Sequence, residues 1–240
     1  MNFSTWEPIY KQIIADFSFS EIEDQQSACV LNSLLKNHQG YISFSDLKPI
    51  IYKKKVVVVG ASSHVQDQII IYKNLIDTSV CISADGATSA LINHNLIPDI
   101  VVTDLDGTIN DQLQANSKGS IIVIHAHGNN IETIQDVIPR ITGKVTGTIQ
   151  TNPSLLPFVS NIGGFTDGDR GVFLATHFNA ASIILIGFDF HGPIGLYSNP
   201  HNKDIKMKHK KLIWAERLIT LLNKNHQIEI VDSSDEHGRP

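Results

Sequence analysis

The chain has 240 residues, of which 42% are hydrophobic and 18% are charged, and its formal net charge is −5 at pH 7. This composition is typical of folded globular proteins, and the mild negative charge argues against a nucleic-acid or anionic-membrane partner. No signal peptide is recognisable, and the apolar runs are too short to span a bilayer. The two cysteines, Cys29 and Cys81, lack the spacing of metal ligands. We therefore expect a reduced, cytoplasmic protein.

Residues 1–50 differ in pattern from the rest of the chain. Apolar residues recur at helical spacing from Trp6 to Phe17, and Ser20 with Glu23 is typical of a capping box that opens a second helix. We therefore divide the chain into a short N-terminal helical segment, residues 1–50, and an α/β domain, residues 51–240. The pattern of the first segment does not indicate a function.

From residue 55 onward, short aliphatic strands alternate with glycine-containing loops and helices. The predicted strands cover residues 56–59, 80–83, 100–103, 121–125, 144–149, 183–187 and 228–231. The predicted helices cover residues 65–76, 88–94, 131–141, 171–178 and 206–222. Because the strands are nearly continuous aliphatic runs, we expect helices on both faces of the sheet. The pattern predicts an α/β fold with a doubly wound, mostly parallel, Rossmann-like sheet.

Polar residues and glycines follow most of the predicted strands. They are Gly60, Ser62, Ser63, Asp85, Gly86, Asp104, Asp106, His125, His127, Asn129 and Asp189. A further polar run, Thr166-Asp167-Gly168-Asp169-Arg170, lies between the fifth and sixth strands. Ligands of open parallel sheets bind beyond the carboxyl ends of the strands. The clustering of these residues therefore predicts a binding site at this edge.

Asp104 and Asp106 follow the third strand at positions i and i+2. If the strand continues that far, both carboxylates point to one face and converge. Neighbouring carboxylates repel each other, and a divalent cation such as Mg²⁺ offsets their charge. Asp85 is predicted to be a further metal ligand, with capping of the following helix as the alternative. Since Mg²⁺ at such sites usually carries substrate phosphates, we expect an enzyme that acts on phosphorylated nucleotides.

Three further groups each allow a functional and a structural interpretation. The loop at residues 60–63 either cradles phosphate or forms a turn in which a serine caps the next helix. The pair His125 and His127 either hydrogen-bonds a substrate or is an ordinary polar strand end, since the further ligands that zinc needs are not recognisable. The run at residues 166–170 either binds a polyphosphate through its N–H groups and Arg170 or forms a capping loop with a surface arginine.

A run of basic residues opens the last predicted helix, at Lys206, Lys208, Lys210 and Lys211. We interpret it as a solvated face, with one lysine reaching a phosphate as the alternative. Asp189 is a candidate substrate-binding residue. Asp99 lies at the opposite end of its strand from Asp104, so a structural role is expected there.

Five short sequence motifs occur in order along the chain: Ala-Asp-Gly-Ala at 84–87, Pro-Asp-Ile-Val-Val-Thr-Asp-Leu-Asp-Gly at 98–107, His-Ala-His-Gly at 125–128, Gly-Gly-Phe-Thr-Asp-Gly-Asp-Arg at 163–170 and Gly-Phe-Asp-Phe at 187–190. Taken together, these motifs resemble the archaeal 6-hydroxymethyl-7,8-dihydropterin pyrophosphokinase family, whose core is similar to that of thiamin pyrophosphokinases. The resemblance implies a fold like the thiamin pyrophosphokinase catalytic domain. It also implies that residues 51–240 bind a nucleotide and, with Mg²⁺, transfer pyrophosphate from ATP to a dihydropterin alcohol, releasing AMP.

The resemblance also implies roles for individual residues. Mg²⁺ would be held by Asp104 and Asp106, with support from Asp85. The implied catalytic residues are Asp104, Asp106, Asp167, Asp169 and Arg170. The implied nucleotide- and substrate-binding residues are Gly60, Ser62, Ser63, Asp85, Gly86, His125, His127, Asn129, Thr166 and Asp189. Arg170 would stabilise the developing charge, and Asp167 or Asp169 would accept the alcohol proton or help bind the metal.

The chain departs from the family pattern at two places. Asn129 stands where the family usually has Asp, so it offers a carbonyl oxygen to a metal but no charge. Ser62 and Ser63 replace a Gly-Pro pair. The alternative functions are a thiamin pyrophosphokinase, a glycosyltransferase-like nucleotide-sugar-binding protein and a nucleotide-binding module without catalysis. We expect the partners to be small-molecule substrates, and the sequence leaves open whether the protein forms a homo-oligomer.

Overall fold

The computed structural model describes residues 1–198, 204–224 and 226–231. Within these ranges the α-helices are α1 (Phe3–Phe17), α2 (Glu21–Lys36), α3 (Lys48–Ile51), α4 (Val65–Ile71), α5 (Lys73–Asp77), α6 (Ala87–Asn93), α7 (Ile109–Ser117), α8 (Ile131–Val137), α9 (Asp167–His177) and α10 (Ile205–Asn223). The strands are β1 (Lys55–Val59), β2 (Val80–Ala84), β3 (Ile100–Thr103), β4 (Ile121–Ala126), β5 (Val145–Ile149), β6 (Val159–Ser160), β7 (Ser182–Ile186) and β8 (Ile228–Ile230). None of the described helices has the length and hydropathy needed to cross a membrane.

The described strands form one parallel sheet in the order β6-β5-β4-β3-β2-β1-β7-β8. From β1 the chain builds outward to β6, then returns past β1 to add β7 and β8 on the other side. The direction of building therefore reverses between β1 and β7, and a crevice for ligands is expected beyond the carboxyl ends of these two strands. The prediction of a doubly wound parallel sheet is confirmed.

The secondary structure departs from the predictions at several elements. Helix α7 was not predicted, because its sequence is mostly polar and its apolar residues are few. The short edge strand β6 was also missed, because two residues give no periodicity. The helix predicted over 65–76 is divided at Tyr72 into α4 and α5. Helix α9 begins at Asp167, four residues before its predicted start, because Thr166 caps it there.

The N-terminal helices share the core of the sheet. Trp6 and Tyr10 of α1 are fully buried, and the Trp6 ring meets Phe173 of α9 edge-on at 6.0 Å. Helix α2 passes directly over β5, since a Cβ atom added to Gly147 would lie 2.9 Å from the Cδ2 atom of Leu31. The division of the chain at residue 50 stays a prediction. The two parts on either side of it bury their apolar side chains against each other.

Ser20 caps α2 as predicted, accepting a hydrogen bond from the Glu23 N–H at 3.3 Å. The reciprocal half of the predicted capping box is not formed, because the Glu23 side chain lines a cavity instead. Of the cysteines, Cys81 is buried and Cys29 is exposed. Asp99 has the structural role expected of it, since its carboxylate accepts the Cys81 N–H at 2.8 Å.

The packing of α2 on the sheet is tested by Leu31→Ala. We expect this change to lower the free energy of unfolding by about 2–5 kcal/mol, because Leu31 is fully buried against β5 and its truncation leaves a cavity. The matched control is Ile22→Ala on the same helix, where the side chain is 72% exposed and the cost should stay within about 0.5 kcal/mol. Equal urea midpoints for the two variants would show that α2 is not part of the core.

Candidate active site

A cavity of about 620 Å³ opens at the carboxyl edge of the sheet. Its walls come from the ends of β1 to β5 and β7, the start of α2, the start of α9 and one face of α10. The described residues that line it include the carboxylates of Glu23, Asp24, Asp85, Asp104, Asp106, Asp167, Asp189 and Asp204. The lining lysines among them are Lys208 and Lys211. The excess of carboxylates disfavours a polyphosphate unless further cations bind with it.

Three of these carboxylates form a compact group, which we call the carboxylate trio. One oxygen each of Asp85, Asp104 and Asp167 lies within 4.8 Å of the others. They come from the end of β2, the end of β3 and the first turn of α9. The ends of β2 and β3 therefore bring Asp85 and Asp104 close together, as predicted. Helix α9 supplies the third carboxylate, that of Asp167.

Asp85 is turned toward the end of β3. Its backbone has a φ of 38°, and its Oδ1 atom accepts hydrogen bonds from Thr103 Oγ1 and Gln112 Nε2, both at 2.7 Å, and from Gly107 N at 3.3 Å. The side chain does not cap α6, whose cap residue is Gly86. Asp85 is therefore fixed by the loop and helix that follow β3.

The assumed continuation of the third strand is wrong, because β3 ends at Thr103 and Leu105 adopts a left-handed backbone with a φ of 69°. Asp106 is exposed, and its N–H donates to Asp104 Oδ1 at 3.1 Å. The Asp106 carboxylate is not one of the trio. Asp104 receives a further contact from His127, whose Nε2 atom lies 3.1 Å from Asp104 Oδ2. A metal role for Asp106 stays a prediction.

The trio concentrates negative charge. The pKa of Asp167 is raised well above its ordinary value, first by burial and then by the charges of Asp104 and Asp85. Three carboxylates in so small a volume are costly to ionise together without a cation. Carboxylate oxygens are hard ligands of the kind that Mg²⁺ prefers. The donor atoms present therefore fit Mg²⁺.

Asp169 belongs to the cap of α9 rather than to the cavity wall. Its side chain is fully buried, and Oδ1 accepts the N–H groups of Phe165 at 2.6 Å and Thr166 at 3.0 Å. Burial raises its pKa to about 6, although these hydrogen bonds favour the charged form. The buried carboxylate therefore fixes the loop that presents Asp167, and a catalytic role for Asp169 stays a prediction.

Arg170 is also buried, with 1% of its surface exposed, and it is not among the residues that line the cavity. Its Nη1 atom donates to Gly163 O at 3.1 Å, and Nη2 donates to Gly164 O at 2.7 Å and to His125 Nε2 at 3.0 Å. A surface position and a direct polyphosphate contact are therefore both wrong for Arg170, whereas the expected capping loop is confirmed by Thr166. Burial lowers its pKa to about 10, so the guanidinium keeps its charge beneath the site.

His125 is held in one tautomer by these contacts. A guanidinium N–H can only donate, so His125 Nε2 must accept and Nδ1 must carry the proton. Nδ1 then donates to Thr148 Oγ1 at 3.2 Å. Burial, and secondarily the charge of Arg170, lower the pKa of His125 well below its ordinary value. The ring stacks on His127 with centroids 5.9 Å apart, so the pair shares a face as predicted, but His125 Nε2 is directed at Arg170.

Asn130 was missed by the sequence analysis and joins β3 to β4. Its Nδ2 atom donates to Asp104 O at 2.9 Å and to His125 O at 2.8 Å. Its Oδ1 atom accepts Ser27 Oγ at 3.0 Å and His127 N at 3.1 Å. No local pattern distinguishes it from its neighbour Asn129, which is exposed, lines the cavity and lies outside the trio.

Asp24 was missed as well, because its partners are distant in sequence. Its Oδ1 atom accepts the Gly128 N–H and its Oδ2 atom accepts the Tyr10 hydroxyl, both at 2.7 Å. The buried carboxylate of α2 thus ties the loop after β4 to α1. The N-terminal segment therefore contributes directly to one wall of the cavity.

The loops after β1 and β2 form part of the opposite wall. Gly60, Ser62 and Gly86 line the cavity, whereas Ser63 is exposed and is not among the lining residues. The predicted serine cap is not found, since α4 begins after His64 without a side-chain cap.

Two residues on the β7 and α9 loops also line this cavity. Asp189 Oδ1 accepts the N–H groups of His191 at 3.1 Å and Gly192 at 2.7 Å, which fixes the loop after β7. Thr166, the cap residue of α9, lies on the cavity wall.

The lysines of α10 divide between two environments. Lys208 and Lys211 line the cavity, and Lys211 Nζ lies 5.8 Å from the centre of the Phe165 ring. Lys210 pairs with Asp16 at 2.9 Å, and Lys206 is exposed. The expectation of a solvated face therefore holds for part of the run.

The tautomer of His125 is tested by nitrogen NMR. We expect its ring to stay neutral, with the proton on Nδ1, between about pH 6 and pH 8, because Arg170 and burial oppose protonation. Long-range ¹H–¹⁵N spectra of labelled protein measure this, and the His125→Gln variant assigns the signals. Signals that move with a midpoint near the ordinary histidine pKa would contradict the Arg170 contact.

Comparisons with known proteins identify the family of this chain. The family model for 6-hydroxymethylpterin diphosphokinase MptE-like proteins matches residues 31–194. A relative from Methanocaldococcus jannaschii is 42% identical over 241 residues, covering 96% of this chain and 100% of the relative. A relative from Pyrococcus furiosus is 40% identical over 238 residues, covering 98% and 100%. One from Methanothermobacter thermautotrophicus is 36% identical over 236 residues, covering 96% and 99%.

All three relatives are named 6-hydroxymethyl-7,8-dihydropterin pyrophosphokinase. Among solved structures, a MAf glycosyltransferase from Magnetospirillum magneticum AMB-1 matches 86% of this chain and 39% of its own, at 11% identity and a TM-score of 0.49. That likeness is too loose to bear on function. Since the family model spans more than half of the chain and the relatives align almost end to end, the chain belongs to the MptE-like family of 6-hydroxymethylpterin diphosphokinases.

Proposed function

We propose that this protein transfers pyrophosphate from ATP to the hydroxymethyl group of 6-hydroxymethyl-7,8-dihydropterin, with Mg²⁺, and releases AMP. The observation that carries the proposal is the carboxylate trio of Asp85, Asp104 and Asp167, which lies in the cavity of a chain that aligns with these relatives over almost its full length. The trio supplies hard oxygen ligands at the edge where parallel sheets bind nucleotides.

The nucleotide is assigned to the crevice between β1 and β7. The strand order reverses there, and the loops from both strands contribute glycines, Gly60 and Gly187, to the cavity wall. A Cβ atom on Gly60 would lie 2.6 Å from Gly187 O, so these loops can approach each other only without side chains. The N–H groups of Gly60 and Gly187 are bonded within the protein, so Lys208 and Lys211, which line the same cavity, supply the positive charge for the polyphosphate.

The reaction is a displacement at the β-phosphorus of ATP. The alcohol oxygen forms a bond to this phosphorus, and the bond from the phosphorus to the oxygen shared with the α-phosphate breaks, so that AMP leaves. Asp85, Asp104 and Asp167 would hold Mg²⁺, which would supply positive charge that offsets the charge of the polyphosphate. The alcohol proton passes to a carboxylate at the site. Asp167 is the candidate acceptor, because Asp169 is buried in the helix cap.

The remaining polar residues position these groups. Asn130 fixes Asp104 by donating to its backbone oxygen, and His127 fixes it by a hydrogen bond with its carboxylate. Arg170 lies beneath the site, where its charge favours ionisation of Asp167. Alignment of the alcohol with the phosphate and offset of charge are the main contributions that a protein makes to this chemistry.

The assay that tests the proposal incubates the protein with Mg²⁺, ATP and 6-hydroxymethyl-7,8-dihydropterin. We expect AMP and the pterin diphosphate in equal amounts. Thiamin as the acceptor tests the thiamin alternative, and nucleotide sugars test the glycosyltransferase-like one. ATP binding without AMP formation from either alcohol would contradict the proposal and favour a non-catalytic module.

The carboxylates are tested by Asp104→Asn and Asp167→Asn. Each should lower kcat/KM at least about hundredfold, or about 3 kcal/mol of transition-state stabilisation, because each removes a charged group of the trio. Folding should survive, since the change relieves repulsion between like charges. The control is Asp136→Asn, on a side chain that is 73% exposed and paired with Arg140 on the surface. Activity close to that of the control in both variants would refute the assignment.

A further inference from the structure

We propose that the pterin ring binds on the α2 side of the cavity, with Glu23 and Gln150 reading the polar edge of the ring beside the aromatic side chains of Phe19 and Phe165. The inference rests on the proposed function and assigns its acceptor subsite. Phe19 and Glu23 lie outside residues 31–194, the range of the family match.

The direction of the reaction places the acceptor on this side. In a displacement at phosphorus, the attacking and leaving oxygens lie roughly in line on opposite faces of the transferred group. The trio holds the middle of the sheet edge, at the ends of β2 and β3, and the nucleotide is assigned to the crevice between β1 and β7. The alcohol must therefore approach from the other direction, where β4, β5 and the start of α2 line the cavity.

Gln150 provides an observation that is independent of the strand order. It directly follows β5, lines the cavity and is only 6% exposed, yet its Oε1 atom has no hydrogen-bond partner among the described residues. Its backbone is held in place, because Gln150 O accepts Trp6 Nε1 at 3.2 Å and Asn161 Nδ2 at 2.8 Å. A buried amide without its full set of partners costs free energy unless a ligand completes it. Gln150 therefore has a fixed backbone and a buried side-chain acceptor that a hydrogen-bond donor of the ligand would complete.

Glu23 also lines this cavity, at the start of α2, and contributes a carboxylate to it. Its neighbour Asp24 is tied to Gly128 and Tyr10, so the start of α2 has a fixed position. The Glu23 side chain lies against Gly128, since a Cβ atom added there would come within 3.3 Å of Glu23 Oε2. A carboxylate repels phosphate, so this side of the cavity suits an uncharged ring better than a polyphosphate.

Pterin and adenine differ in the hydrogen-bonding groups on their edges, and this difference decides which ring fits the subsite. The pterin edge carries two adjacent donors, the 2-amino group and N3–H, which a single carboxylate accepts together, and the second hydrogen of the 2-amino group is left to donate to Gln150 Oε1. Adenine lacks this pair of adjacent donors on its pyrimidine edge. Glu23 and Gln150 therefore match the pterin rather than the nucleotide base.

An aromatic surface completes the subsite. Phe19 is 37% exposed and lines the cavity, and its ring lies 6.5 Å from that of Phe165, which also lines it. Phe17 stacks behind Phe19 at 5.2 Å. A large apolar side chain exposed in a cavity offers a flat ring a face on which to stack.

The test measures each ligand separately. Fluorescence titration reports binding of 6-hydroxymethylpterin in the presence of Mg²⁺ and α,β-methylene-ATP, and calorimetry reports binding of that nucleotide analogue alone. In Glu23→Gln and Gln150→Met we expect at least about tenfold weaker pterin binding and a similar rise in the KM for the dihydropterin, because each variant leaves a ring group unpaired. Affinity for the analogue should change less than about twofold, and kcat should fall less than KM rises. The control is Glu21→Gln, the same change on the same helix but outside the cavity lining.

The outcomes distinguish this inference from the proposed function. If the wild-type protein turns over the dihydropterin and both variants bind pterin as the control does, the subsite is refuted while the function stands. Loss of affinity for the analogue rather than for pterin would place the nucleotide on this side and would also refute it. If the wild-type protein binds the analogue but neither binds nor converts the pterin, both proposals fail.

Discussion

Repulsion among three carboxylates is the constraint on which the site depends. Asp85, Asp104 and Asp167 lie close enough that burial and mutual repulsion raise the pKa of Asp167. The fold holds them together with fixed hydrogen-bond donors and with the buried charge of Arg170 beneath them. Such an arrangement is least costly when a cation completes it, which is the physical basis of the proposed metal site.

The N-terminal helices extend this arrangement beyond the sheet. Asp24 accepts hydrogen bonds from Tyr10 of α1 and from Gly128 of the loop after β4. That loop also carries His127, which contacts Asp104. The first 50 residues therefore act as more than a separate helical arm, because one end of α2 is bonded to the loop that orients a member of the trio. The same end of α2 forms a wall of the cavity.

The sequence predicted the features that follow from strand pattern and strand direction. Aliphatic runs gave the main strands, and parallel strands bring their carboxyl ends to one edge, so Asp85 and Asp104 were expected to meet there. The continuation of β3 that would place Asp104 and Asp106 on one face was wrong, because the chain turns at Leu105, which no periodicity reveals.

The burial of Asp169 and Arg170 was beyond sequence reasoning for a different reason. In the sequence, both look like charged residues of an exposed loop. In the structure, Asp169 closes a helix cap, and Arg170 donates a hydrogen bond to His125, which lies 45 residues earlier. The contacts of Asn130 are equally non-local, since it bonds to Ser27 of α2. Local patterns identify which residues reach an edge, and only packing decides which of them face the cavity.

The account is tested most directly by a crystal structure of the protein with Mn²⁺ and α,β-methylene-ATP. Anomalous scattering locates the metal without reference to activity. We predict a Mn²⁺ peak bound by oxygens of Asp85, Asp104 and Asp167, with the β-phosphate of the analogue beside it and its adenosine in the crevice between β1 and β7. A metal bound elsewhere in the cavity, for example at Asp189 and Asp204, with the trio free of metal, would contradict the account.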